Sequence, residues 1–240
     1  MFQIQIKPID LITILEQSYV KSNIERSLIS IGNGKISTKS VNQQKSLISY
    51  VEFEGGFDTN AIDITDTKFG VMNIGSIIKY INHLDNNVDK ITCSIGDGFV
   101  ELSFLKMKYK FPMLAESIIP HIPNFEGLKI NKMLDIHLDK TQIKELVKGI
   151  DNIQMKRCTI KVEDGSLYFV VGDDKLDNFA FQVMENIEIA IPGKIFDADK
   201  LSDVIKANDY MIDISIADKA LIIHGLGPIK SSYVMSYLME

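Results

Sequence analysis

Apolar residues recur along this chain with two spacings, one typical of strands and one typical of helices. A strand is predicted over Phe2–Lys7, where apolar and polar residues alternate. Pro8 then favours the start of a helix. The same succession returns at Met133–Leu138, followed by a helix with Asp139 or Thr141 as its N-cap. The apolar faces of the two helices comprise Leu11, Ile12, Leu15 and Tyr19 in the first and Ile143, Leu146, Val147 and Ile150 in the second.

Each half of the chain continues with alternating strands, a second helix and a closing hairpin. The alternation is clearest in Cys158–Glu163 and Ser166–Val171. The second helices carry Ile74, Ile77, Ile78 and Ile81 in the first half and Leu201, Val204 and Ile205 in the other. The closing hairpins are predicted over Lys90–Ile95 with Phe99–Leu105, and over Met211–Ile216 with Ala220–His224. Two helices on antiparallel sheet define an α+β unit, here present twice.

An internal repeat relates the two halves. At an offset of 131 residues, Ile12 falls on Ile143 and the Asn33-Gly34 turn falls on Asp164-Gly165. Both dipeptides are strong hairpin signals, because such turns need positive φ at two successive residues. The offset then falls to 127, where Lys79 meets Lys206, and to 121 in the closing hairpin. Shrinking offsets are typical of loop deletions between conserved elements. The alternative is two unrelated α+β halves of similar periodicity.

A proline-rich segment separates the halves. Three of the six prolines, Pro112, Pro120 and Pro123, lie in Pro112–Lys129, which predicts an extended connector. The segment also carries Ile118, Ile119, Ile122 and Phe125, so it must pack on the protein or bind a partner. The predicted domains are therefore 1–111 and 132–240, joined by a connector at 112–131.

Composition and charge limit the classes of protein to which the chain can belong. Of the 240 residues 45% are hydrophobic and 24% charged, as in a globular protein, and no apolar run approaches the roughly 20 residues of a membrane span. Met1–Lys7 alternates like a strand rather than a signal peptide. Cys93 and Cys158 form no paired motif, which favours a reducing intracellular setting. The net charge of −6 disfavours nucleic-acid binding unless basic residues gather on one surface.

The sequence contains no recognisable catalytic or metal-binding motif. The four histidines have no metal-ligand spacing. Gly32–Lys35 sits where a hairpin turn is needed and lacks phosphate-loop spacing, and Gly172-Asp173-Asp174 is expected to be a solvated acidic loop. We therefore expect no enzyme, no catalytic residue, no metal and no cofactor, but a binding or scaffold protein.

Three short stretches resemble elements of a known family. They are the strand Ser46–Phe53 that runs towards Gly56-Phe57, the helix entry Gly70-Val71 with Asn73-Ile74 and Lys79, and the connector dipeptide Ile119-Pro120. In this order, and over nearly the whole chain, they resemble the trimeric DNA sliding clamps, which include proliferating cell nuclear antigen and the clamps of tailed phages. The resemblance implies an α+β DNA-clamp fold whose trimer forms a ring of six similar domains around duplex DNA.

Lysines on the predicted helices are the candidate DNA-binding residues. Lys140, Lys144 and Lys148 recur every four residues and form one stripe away from the apolar face. Lys79 and Lys206 occupy equivalent repeat positions and resemble the lysine of the family's pore. The first helix offers Lys21, and the fourth carries Asp197, Asp199 and Asp203 beside its lysines, so the predicted pore is only mildly positive. A solvated helix face is the alternative interpretation.

The connector is the second candidate site, because in the family a hydrophobic partner peptide inserts beneath it. The residues that match or adjoin that pocket are Leu47, Ile118, Ile119, Pro120, Tyr237, Leu238 and Met239. For Tyr237 and Leu238, a final strand packed on the core is an equal alternative. The resemblance implies as partners double-stranded DNA read without sequence preference, a DNA polymerase, a clamp-loader ATPase and two further copies of the chain, with no membrane.

Two other functions fit the same residues. One is a subunit of a heteromeric or checkpoint-type clamp, and the other is a two-repeat interaction scaffold that never meets DNA. Usage rich in Ile, Lys and Asn suggests an AT-rich genome, for which a phage is one candidate. The expected location is intracellular, in the cytoplasm of a bacterial host or in another DNA-replicating compartment.

Overall fold

The chain is α+β, as predicted, and its contacts divide it into two units. The computed structural model describes residues 2–60, 67–84, 88–153, 156–172, 177–189, 191, 193–208 and 210–238. Met1–Gly127 with Pro228–Ser231 forms one unit, and Leu128–Gly227 with Ser232–Glu240 forms the other. Asp173 and Asp174 of the predicted acidic loop, and Met239 of the predicted pocket, lie outside the described residues.

Two helices and two antiparallel sheets build the first unit. One sheet has the order β5-β1-β7-β8-β9, and the strands β4-β3-β2-β6 are neighbours in the other. The elements are β1 Phe2–Ile6, α1 Pro8–Tyr19, β2 Arg26–Gly32, β3 Lys35–Val41, β4 Leu47–Glu54, β5 Phe57–Thr59, β6 Thr67–Met72, α2 Ile74–Asn82, β7 Ile91–Ile95, β8 Phe99–Phe104 and β9 Met107–Pro112. Short 3-10 turns follow at Glu116–Ile118 and Phe125–Gly127.

The second unit repeats this topology. Its strands lie in the orders β10-β15-β16-β17 and β13-β12-β11-β14, which match β1-β7-β8-β9 and β4-β3-β2-β6 strand for strand. The elements are β10 Lys132–Leu138, α3 Lys140–Asn152, β11 Arg157–Glu163, β12 Ser166–Gly172, β13 Asn178–Met184, β14 Lys194–Asp197, α4 Ala198–Lys206, β15 Ile212–Ala217, β16 Ala220–Leu226 and β17 Lys230–Ser236. The predicted doubling of one α+β unit is confirmed.

The two repeat-related hairpins turn as their dipeptides predict. Asn33 and Gly34 have φ of 51° and 72°, and Asp164 and Gly165 have φ of 47° and 75°. The flanking pairs Gly32↔Lys35 and Glu163↔Ser166 leave two-residue loops. Two successive positive φ values suit the right-handed twist of the strands.

The closing element of each half is larger than predicted. A third strand, β9 or β17, extends each predicted hairpin into a three-stranded meander. Pro112, expected to open the connector, is the last residue of β9 and pairs with Phe99. A proline at a strand end is tolerated because its missing N–H leaves no gap inside the ladder.

Helix burial follows the predicted faces with one exception. Asp139 caps α3 through a capping box with Gln142, and Ile143, Leu146 and Ile150 are buried, whereas Val147 of the predicted face is partly buried. In α1 the fully buried residues are instead Ile14, Leu15, Gln17 and Ser18, whereas Leu11, Ile12 and Tyr19 are only partly buried. The buried face is rotated because α1 also packs on sheet through polar contacts. Ser18 Oγ lies 2.6 Å from Thr38 Oγ1, and Ser49 Oγ donates to the Gln17 carbonyl.

Gly149 permits close packing of α3 on β13, and replacing it tests that packing. A Cβ at this position would overlap the Phe179 ring. Gly149→Ala should therefore lower the free energy of unfolding by about 1–2 kcal/mol, because overpacking outweighs the roughly 1 kcal/mol gain in helix propensity. Chemical denaturation measures the change. Gly127→Ala is the control, since a Cβ there meets nothing within 4 Å. Phe179→Leu should remove most of the penalty, and a stabilised Gly149→Ala protein would contradict the packing argument.

Candidate functional site

In the first unit the predicted DNA-binding lysines lie near the ends of the two helices. Lys79 is in the last turn of α2, exposed, on the side opposite the buried Ile77 and Ile78. Lys21 is not on a helix: α1 ends at Tyr19, and Lys21 lies in the following turn with φ of 49°. Within the described part of the chain no carboxylate forms an ion pair with Lys79, so its ammonium group faces solvent.

In the second unit the predicted lysine stripe is present on α3. Lys140, Lys144 and Lys148 are all exposed, and Ile143, Leu146 and Ile150 on the opposite side are buried. Side chains four residues apart lie about 5–6 Å from one another on a helix surface. The stripe is thus a row of cations along one face of α3.

Lys206, the repeat equivalent of Lys79, is engaged by a carboxylate. Its Nζ lies 2.7 and 2.8 Å from the two oxygens of Asp151, the penultimate residue of α3. Ser202 Oγ donates to the same Asp151 Oδ1 at 3.1 Å. The interaction links α4 to α3, and it neutralises one of the five predicted lysines that do lie on helices.

Two of the three α4 carboxylates that weakened the DNA prediction have local roles. Asp197 caps α4 by accepting from the Lys200 backbone N–H, and its other oxygen lies 3.4 Å from Lys200 Nζ. Asp199 forms an ion pair with Lys156 at 3.2 Å. Because each charge is balanced by a neighbouring lysine, these carboxylates reduce the positive field near α3 less than their number suggests.

A groove of about 190 Å³ separates α3 from α4 and the segment that follows α4. Ile143, Val147 and Ile205 are its apolar lining residues, and the other described residues that line it are Lys140, Lys144, Lys206, Asn208 and Tyr210. Tyr210 is 41% exposed, and Lys140 Nζ lies 5.3 Å from the centre of its ring. The lining combines apolar surface, an aromatic wall and three cations, a chemistry suited to an anionic ligand.

The connector docks on the sheet of the first unit through backbone and side-chain contacts. Gly70 of β6 and Leu114 exchange two backbone hydrogen bonds of 2.9 and 2.8 Å. Tyr50 Oη donates to the Pro123 carbonyl at 2.9 Å, and the Tyr50 ring packs edge-on against Phe125. Burial raises the pKa of Tyr50 to about 12, which keeps this hydroxyl protonated and donating. Lys39 Nζ donates to Asn124 Oδ1.

These contacts decide which pocket residues of the first unit are accessible. Leu47 is fully buried and Ile119 is 6% exposed, so both belong to the packed layer. Pro120 and Ile118 are exposed, and Ile118 presents 53% of its surface. The predicted pocket residues therefore divide into a buried base and an exposed rim.

The predicted pocket residues of the second unit, Tyr237 and Leu238, form hydrogen bonds within that unit. Tyr237 Oη donates to the Ala217 carbonyl at 3.0 Å, and burial raises the pKa of Tyr237 to about 12. The Leu238 N–H donates to the Ile195 carbonyl at 2.8 Å, while its side chain is 40% exposed. Both residues follow β17, which ends at Ser236, so neither belongs to the final strand.

No catalytic or metal-binding arrangement is evident among the described residues. Within them, no group of three or more His, Cys, Asp or Glu could hold a metal ion. The Cys93 and Cys158 thiols are buried, and burial raises the pKa of both, which makes them poor nucleophiles. No helix in the described ranges is long and apolar enough to cross a membrane.

Comparison with solved structures gives full-length matches to one kind of protein. Archaeoglobus fulgidus PCNA, solved with the C-terminal region of FEN-1, matches with a TM-score of 0.79 at 15% identity, over 100% of this chain and 99% of that one. The PCNA2–PCNA3 complex of Sulfolobus tokodaii matches at 0.74 and 12%, over 99% and 100%. Entamoeba histolytica PCNA matches at 0.74 and 14%, over 99% of both chains.

Comparison of the sequence itself gives no such match: no protein-family model and no curated protein corresponds to this chain. The likeness is therefore one of fold. This chain has the fold of PCNA-type sliding clamps, which confirms the fold expected from the three sequence stretches.

The sequence did not indicate two residues of this surface, Asp151 and Tyr210. Asp151 stands at the end of an amphipathic helix, where an acidic residue usually signals nothing more than solvent exposure. Its partner Lys206 is 55 residues away, so no local spacing could reveal the pair. Tyr210 had no periodic signal because it follows α4 in a loop.

The close approach of the connector to Gly70 can be tested by substitution. A Cβ at Gly70 would come within 2.8 Å of Ile119 Cγ1 and Leu114 Cβ. Gly70→Ala should therefore displace the connector and accelerate amide hydrogen exchange at Gly70 and Leu114, whose hydrogen bonds hold it. Ile118→Ala is the matched control, because the exposed Ile118 side chain supports neither bond. Equal exchange rates in all three proteins would show that the connector is not held at Gly70.

Proposed function

We propose that the protein is a DNA sliding clamp: a homotrimeric ring that encircles duplex DNA without sequence preference and tethers a DNA polymerase. The observation that carries the proposal is the full-length match to the PCNA fold, combined with exposed lysines on the helices of both repeats. An ATP-driven loader would close the ring on DNA. The protein itself is not an enzyme in this proposal, and its apolar connector surface serves partner proteins.

The sheet edges support head-to-tail assembly. Within its own unit, β9 ends one sheet and β13 ends another, with six and seven residues respectively. An edge strand presents unpaired N–H and C=O groups, and covering it by pairing avoids indiscriminate association. Because β9 and β13 are different strands, their pairing between chains is heterologous, and a heterologous contact can close into a ring.

Charge favours this particular pairing. Lys106, Lys108 and Lys110 lie in or beside β9, whereas Asp177, Glu185 and Glu188 flank β13. All six residues are exposed. Opposite charges on the two edges would steer the correct encounter and disfavour pairing of two β9 or two β13 strands.

The rim of Ile118 and Pro120 supports a partner-peptide site in the first unit, and Leu238 supports one in the second. An exposed aliphatic side chain on a well-anchored segment suits an apolar anchor from a partner, since little ordering is required on binding. The solved A. fulgidus relative carries a C-terminal region of FEN-1. A peptide of that kind is therefore the reasonable first probe.

Charge reversal along β9 tests the ring. Lys108→Glu with Lys110→Glu should reduce the mass by light scattering from three chains to one, because like charges would then face each other across the contact. Lys45→Glu with Lys219→Glu carries the same charge change at exposed turn positions and should remain trimeric. Adding Asp177→Lys and Glu185→Lys to the β9 variant should restore the trimer. A wild-type monomer at micromolar concentration would overturn the homotrimer.

Charge reversal on α3 tests the DNA-facing role. Lys144→Glu with Lys148→Glu should lower the amount of ring retained on closed circular plasmid after gel filtration, while the Lys45/Lys219 control should match wild type. Linearising the plasmid should release wild-type protein, because topology rather than affinity holds a ring. Retention that is the same on circular and linear plasmid would contradict encirclement. A trimer with no retention on either would favour the interaction scaffold.

The same measurements separate a heteromeric clamp subunit. A PCNA2–PCNA3 complex is among the structural matches, so a chain of this fold can assemble with a different chain. A wild-type protein that stays monomeric alone, yet binds a FEN-1-type peptide, would favour that alternative.

A further inference from the structure

The Asp151–Lys206 contact distinguishes the second repeat from the first. Both Asp151 oxygens lie within 2.8 Å of Lys206 Nζ, and the exposed fractions of the two side chains are 47% and 33%. The pair is thus accessible to solvent, and another anion could replace Asp151. A solvent-accessible pair of this kind contributes little to stability, so the ion pair can be broken at small cost.

The first repeat has no equivalent of Asp151. Subtracting the repeat offset of 131 from 151 leads to position 20, which is Val20, a fully buried residue after α1. Lys79, which is 127 residues before Lys206, therefore keeps an exposed ammonium group with no ion pair among the described residues. The two equivalent lysines therefore differ: Lys206 forms an ion pair with Asp151, and Lys79 forms none with a described residue.

Lys206 also borders the groove between α3 and α4. Lys140 and Lys144 border the same groove, and none of the lining residues that the structure describes is acidic. A phosphodiester that approaches these lysines brings a negative charge to the position where Asp151 already acts on Lys206. Two anions would then compete for one ammonium group, and the carboxylate reduces the gain from the phosphate.

We infer that Asp151 is an intramolecular competitor of nucleic-acid phosphate for Lys206, and that it sets the affinity of the α3–α4 groove for the DNA backbone. The inference rests on the proposed function. Asp151 lowers by one the number of phosphates neutralised per chain, which weakens binding and its dependence on salt. A ring held by topology gains from this, because weaker phosphate contacts leave it free to move along the duplex.

The test is a double-mutant cycle on the full chain. Asp151→Asn removes the charge and keeps an oxygen to accept from Ser202, and Lys206→Met removes the cation. Affinity for a fluorescein-labelled linear duplex is measured by anisotropy over a range of NaCl concentrations. Lys79→Met is the matched control in the first repeat, because Lys79 forms no ion pair with any carboxylate that the structure describes. Thermal unfolding of each variant establishes that it is folded.

The Asp151→Asn protein should bind the duplex about two- to fivefold more tightly than wild type for each Lys206 that contacts a phosphate. The slope of log K against log salt should steepen by about 0.9 for each chain whose Lys206 meets a phosphate. Lys206→Met should weaken binding by itself, because it leaves the Asp151 carboxylate unpaired by Lys206 beside the groove, and the Asp151→Asn, Lys206→Met protein should bind no more tightly than wild type. Lys79→Met should weaken binding in the wild-type background.

Three results would overturn the inference, and they are distinguishable. If wild type binds the duplex but Asp151→Asn changes neither affinity nor slope, the competition is wrong while the clamp proposal stands. The same holds if the gain persists in the Asp151→Asn, Lys206→Met protein. If neither wild type nor any variant binds the duplex even at low salt, the inference fails, while encirclement of DNA is decided separately by retention on circular and linear plasmid.

Discussion

Burial of one apolar face on each of four helices is the interaction on which the rest of this structure depends. In α2 that face consists of Ile74, Ile77, Ile78 and Ile81, all buried. Each such side chain contributes about 1.5–3 kcal/mol when it leaves water. A helix with one face committed to the core presents its other face to solvent. The exposed lysines of α2 and α3 are thus fixed in direction by the core beneath them.

Two glycines allow a neighbouring element to pack closely against the backbone. Gly149 allows the Phe179 ring to lie against α3, and Gly70 allows Ile119 of the connector to lie against β6. In both cases the small residue allows a close approach: of α3 to the Phe179 ring in one and of the connector to β6 in the other. The stability of the core and the position of the surface chemistry are therefore linked.

The acidic net charge is compatible with a DNA-facing surface because the charges are distributed unequally. Asp197 and Asp199 act locally at the start of α4, while the α3 stripe carries lysines at every fourth position. Asp151 differs from these carboxylates, since it engages a lysine that the repeat makes equivalent to Lys79. The equivalent lysines of the two repeats thus differ in ion pairing among the residues that the structure describes.

The sequence by itself determined the α+β class, the doubled unit, the Asn-Gly and Asp-Gly turns and the buried faces of α2, α3 and α4. These features depend on spacing within one element, which a linear pattern records directly. Contacts between residues distant in sequence were decided only by the tertiary structure. The rotated face of α1 follows from Ser18 meeting Thr38, and the state of Lys206 follows from Asp151 on another helix. The split of the connector into buried Ile119 and exposed Ile118 likewise depends on the sheet beneath it, whose position no local pattern encodes.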